Sequence, residues 1–99
     1  MAFGKQMFIS DTDAHNFLTE LGTTAEYVEV IEDGTTFAVY TPGSTATIED
    51  VASAGNKLAD ASTPANRMTF NDGRVIRIPC KALTLATGAV IVFTAPKEA

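Results

Sequence analysis

The chain has 99 residues, 45% of them apolar and 19% charged, with a formal net charge of −5 and a pI near 4.6. That length suits one domain, and the composition is too apolar for a disordered chain. The acidic balance argues against nucleic acid as a partner, the single cysteine excludes an internal disulfide, and one histidine with one cysteine excludes a Cys/His zinc cluster. We expect one domain over 1–99 with a loose tail at 95–99. "MAFGKQMFIS" lacks the apolar core of a signal peptide, and no run approaches the roughly 18 apolar residues of a membrane span. A protein made in the cytoplasm, with no membrane partner, is expected.

A short strand is expected at Gln6 to Ile9. From Thr12 to Leu21, Ala14, Phe17, Leu18 and Leu21 recur at i, i+3, i+4 and i+7, the spacing of one helix face, and Gly22 follows as a C-terminal cap. "YVEVIEDGTTFAVYTP" is two β-rich runs joined through Asp33-Gly34, which predicts a hairpin that Pro42-Gly43 closes. A second helix is expected from Ile48 to Ala61, with Ile48, Val51, Ala52, Gly55, Leu58 and Ala59 as its buried stripe and Ser62-Thr63-Pro64 as its end. Two further hairpins are expected. One pairs Arg67–Phe70 with Arg74–Pro79 through Asn71-Asp72-Gly73, and the other pairs Ala82–Ala86 with Ala89–Thr94 through Thr87-Gly88. The order β-α-β-β-α-β-β-β-β implies an α+β domain, two helices packed on one face of an antiparallel sheet built from hairpins.

Asp11 and Asp13 follow an apolar run, as a magnesium-binding acidic pair would. The lysine and further carboxylates that such chemistry needs on other crossover units of a parallel sheet cannot be placed in so short a chain. Ser10 with Asp13 matches a helix-start signature instead, and Thr47 with Asp50 repeats it, with Glu49 adding charge to the first turn. His15 reads as a solvated residue of the first helix, and Cys80 as a small buried apolar residue at a strand end. A Cys80/His15 dyad has no surrounding motif, and the glycines sit singly in turns and caps, not in a phosphate-binding loop. We expect no catalytic residue, no metal, no cofactor and no small-molecule substrate.

Charge is unevenly distributed along the chain. Residues 1–50 hold one basic and nine acidic residues, a net of −8, and residues 51–99 hold six basic and three acidic, a net of +3. Arg67, Arg74, Arg77 and Lys81 gather on or beside one expected hairpin with Phe70 among them. The pattern admits solvated strand faces, a nucleic-acid ribbon, or a subunit whose acidic part meets the basic part of another copy. The interface candidates are Arg67, Arg74 and Arg77 against Glu26, Glu29, Glu32 and Asp33. The last strand, "AVIVFTA", is apolar throughout, so it must be central or covered. The alanine- and threonine-rich, lysine-poor texture with tight glycine turns resembles the small structural proteins of tailed-phage particles, such as decoration, head-completion and tail subunits, and that resemblance implies a virion location. The leading expectation is a non-enzymatic assembly subunit that joins itself or a larger complex. The alternative is a small acidic monomeric inhibitor or adaptor that binds a basic protein.

Overall fold

The computed structural model describes residues 4–43, 47–51 and 53–94. Among these the chain forms seven strands: β1 (Gln6–Ile9), β2 (His15–Asn16), β3 (Tyr27–Val30), β4 (Thr36–Pro42), β5 (Val75–Ile76), β6 (Cys80–Thr87) and β7 (Val90–Phe93). One short helix, α1 (Phe17–Glu20), and a 3-10 turn at Pro64–Asn66 complete the regular structure. The strands form two antiparallel sheets, ordered β1-β7-β3-β5 and β2-β6-β4. Residues of both sheets enclose one apolar core, with Ile9, Val28, Val30, Val90 and Val92 from the first meeting Phe37, Leu83, Leu85 and Cys80 from the second. Burying each of the larger side chains contributes about 1.5–3 kcal/mol.

The expected α+β architecture with two packed helices is therefore incorrect, and the fold is mostly β. The first helix shrinks to four residues. His15 and Asn16 pair with Leu83 and Ala82 of β6 as a strand, and Asn16, not Ser10 or Asp13, caps α1 by accepting hydrogen bonds from the Leu18 and Thr19 amides. Asp11 is drawn instead into a turn with the Asp13 amide. Of the supposed apolar face, Phe17 and Leu21 are buried but Leu18 is 53% exposed. The second helix does not form among the described residues. Gly55 has φ +74 and donates its amide to the Ala65 carbonyl, while the Asn56 side chain binds Ser53 and Ala54. Side-chain bonds of this kind compete with helical ones, and half of the expected stripe was alanine or glycine, with little area to bury. Ala52 of that stripe and the tail 95–99 lie outside the described residues.

None of the three expected hairpins pairs with itself. The Asp33-Gly34 turn carries the chain from β3 in the first sheet to β4 in the second, and Thr87-Gly88 carries it from β6 back to β7. The two crossings meet. Thr87 donates its hydroxyl to the Gly34 carbonyl at 2.8 Å, the Ala89 amide donates to Thr35 Oγ1 at 3.3 Å, and Gly88 packs against the Thr35 backbone. The 67–79 segment also divides, with Phe70 bridging Thr35 while Val75–Ile76 pairs with β3.

Three register shifts along the β4–β6 ladder leave Ala38, Lys81 and Ala86 as extra residues. They explain how Phe37 and Tyr40, and likewise Cys80 and Leu83, all turn inward though each pair is three residues apart. Phe37 lies edge-on to both Tyr40 and Phe70, with centroids 5.7 and 5.5 Å away. Central β7 lies between β1 and β3, with Val90 and Val92 inward and Ile91 and Phe93 on the opposite face. The apolar strand is thus guarded along both edges.

Candidate functional site

Strand alternation gives the first sheet an outer face with a definite composition. Register aligns Phe8, Ile91, Glu29 and Val75 in one row and Gln6, Phe93 and Tyr27 in the next. Tyr27 and Phe93 stack at 4.7 Å, and Phe8 is 70% exposed. One charge among seven residues is unusual for a sheet face directed at water, where alternation normally places polar side chains.

At its β5 end this face runs into an open groove of about 420 Å³, which Val75 also lines. Leu58, Met68, Phe70, Ile76 and Ile78 give it an apolar floor. One side comes from the segment 48–51, with Glu49, Asp50 and the 66% exposed Val51, and the other from 74–78, with Arg74 and Arg77. The segments are held differently. Asp50 Oδ2 accepts the Leu58 amide at 3.0 Å, which fixes the acidic side against the floor. Arg74 lies over the Phe70 ring, 5.7 Å from its centroid, and its carbonyl accepts the Val30 amide at 2.8 Å. Among the described residues, neither Glu49, Arg74 nor Arg77 makes an ion pair within 4.0 Å.

The other expected interface residues are dispersed. Arg67 is half-buried and donates Nε to the Asp60 carbonyl at 2.7 Å, so it braces a loop. Asp33 accepts the Asp72 amide at 2.8 Å and ties two turns together. Glu26 and Glu32 are exposed, and Glu29 lies half-buried beside Val75 on the outer face. Because β5 pairs with β3, the late segment that carries Arg74 and Arg77 lies beside the early strand that carries Glu29, and the two oppositely charged parts of the sequence interleave.

His15 has partners that the sequence did not suggest. Its Nδ1 lies 2.9 Å from Glu20 Oε1 and its Nε2 lies 2.7 Å from Asp11 Oδ1. The hydrogen bond with Glu20, then that with Asp11, holds its pKa above the usual histidine value, and the same contact holds Asp11 below the carboxylate range. Cys80 is fully buried, donates to the Ala82 carbonyl, and has its thiol pushed up to about 12 by burial. The hydrogen bonds of His15 and Cys80 go to different partners, and none of them joins the two side chains. No group of three or more metal-ligating side chains occurs among the described residues, and no helix there is long and apolar enough to cross a membrane.

Glu49, Asp50 and Val51 were not singled out as site residues from the sequence, where they fit the start of a helix. No sequence signal distinguished Phe8 as exposed, because alternation fixes relative faces and not which face is inward. Neither family models, curated proteins nor solved structures gave a match to this chain.

Proposed function

We propose that the chain is a non-enzymatic structural subunit that associates with copies of itself in a larger assembly, of the kind from which virus particles are built. The observation that carries this reading is the outer face of the first sheet, where Phe8, Ile91, Phe93, Tyr27 and Val75 surround a single carboxylate. Contiguous apolar area rimmed by polar residues marks protein contact surfaces, and covering it contributes roughly 25 cal/mol per Å². Edge strand β1 adds to the reading. Gln6 to Ile9 carries no charge and no proline, the devices by which monomeric β proteins discourage edge pairing.

Light scattering on material eluting from a sizing column, at low and high salt, tests the proposal. The expected result is an oligomer for the native chain, with dissociation promoted by Phe8→Ser, a change at a position where solvent already reaches most of the side chain. A monomer at both salt concentrations, up to about millimolar protein, overturns it.

A further inference from the structure

We infer that the groove between segments 48–51 and 74–78 seats the same groove of a second copy, the two related by a two-fold axis. This rests on the assembly reading and specifies which surface joins the first pair of copies.

An occupant of the groove must bring an anion to Arg74 and Arg77, apolar surface to Leu58, Met68 and Ile78, and a cation to Glu49. The lips of the same groove carry all three. Two-fold contacts are reciprocal, so placing Glu49 of one copy on Arg77 of the other also places Arg77 of the first on Glu49 of the second. Val51, 66% exposed on the acidic lip, then covers the opposing floor while its own floor is covered in return. Net charge sharpens the argument. Two chains of −5 repel one another, and a contact that sets basic residues of one against acids of the other offsets that repulsion locally. Arg74 and Arg77 are exposed, flank the groove and make no ion pair among the described residues, which leaves them able to do so. Apolar contact on the floors supplies affinity, and the charged lips supply register and salt dependence.

The experiment is a charge swap within one chain. Arg77→Glu and Glu49→Arg are each expected to weaken dimerisation about tenfold or more, since every symmetric contact turns repulsive twice. The double variant Glu49→Arg, Arg77→Glu restores opposite charges on both sides of the axis and should return to within about threefold of the native dissociation constant. Circular dichroism establishes that each variant is folded. A native chain that is monomeric at every concentration defeats both this inference and the assembly reading. A native oligomer that Phe8→Ser dissociates while the single reversals leave it intact, or a double variant that fails to recover, defeats the groove inference alone.

Discussion

Gly88 is placed where the chain passes from the second sheet to the first, with φ +90 and the Thr35 backbone directly against it. A Cβ at this position would lie 2.6 Å from Thr35 Cα, a contact that no rotamer change relieves. Gly88→Ala should therefore cost about 2–4 kcal/mol, combining left-handed strain with overpacking, and urea unfolding would measure it. Gly34, at φ +81 but with open space around its Cα, should lose only about 1 kcal/mol on the same change. His15 gives a second prediction with a defined pH dependence. Its folded pKa is raised, so the stability it contributes is fully present below the unfolded value of about 6.5 and is lost as pH rises through the folded value. Asp11 is depressed, so its share is present above the unfolded carboxylate value of about 3.9 and is lost as pH falls through the folded one. The melting-temperature difference between the native chain and His15→Gln should be largest between about pH 4 and 6.5 and shrink by about pH 9. A constant difference across that range would remove the bridge from consideration.

Loop segments hold much of the specific architecture at the level of elements, and Asp60 is the clearest case. Its Oδ1 accepts the Ser62 and Thr63 amides at 2.9 Å each, and those bonds lower its pKa to about 2. The sign follows from a depressed carboxylate: its contribution is present above about pH 3.9 and disappears as pH falls through about 2. Asp60→Asn should flatten the acid limb of the stability curve between those values, as thermal melts in that range would report. The Asp60 turn closes a segment that helical periodicity had claimed, and the reason is local. Asn56, Ser53 and Gly55 offer side-chain and left-handed backbone alternatives that outcompete a helix with a mostly small-residue face. Strands were more legible because alternation reports a buried and an open face directly, and Gln6–Ile9 has the same limits in sequence and structure. Pairing was not legible. Asp33-Gly34 and Thr87-Gly88 are tight-turn dipeptides, but a turn residue fixes the local direction of the chain and not whether the next strand stays in the same sheet. The site was half legible for the same reason. Arg74 and Arg77 were evident as basic residues near Phe70, whereas the acidic lip opposite depends on where an irregular segment is folded back.

At the scale of the whole molecule, the topology joins the two ends of the described chain, since β1 near residue 6 pairs along its full length with β7 near residue 93. Non-local closure of this kind makes β1 the guard of an apolar strand as well as a source of core side chains. Ile9 is 2% exposed, and the Thr94 amide and hydroxyl both bond to the Lys5 backbone, so the β1–β7 seam continues past the strands themselves. Removal of residues 1–9 would strip the ladder from one side of Val90–Phe93 and leave four consecutive apolar residues as an open edge, with Val90 and Val92 uncovered on the inner side. Phe8→Ser, by contrast, changes only the outer face and leaves the seam intact. The truncated chain should lose cooperative unfolding, bind a hydrophobic dye and form high-mass aggregates whose size does not respond to salt, while the Phe8→Ser chain should unfold cooperatively and remain soluble. Salt separates the two kinds of association, because edge-to-edge pairing of apolar strands involves no charge whereas contact through Arg74, Arg77 and Glu49 does. A truncated chain that melts cooperatively as a soluble species would mean that the core closes without β1, and the first sheet would then be complete with three strands.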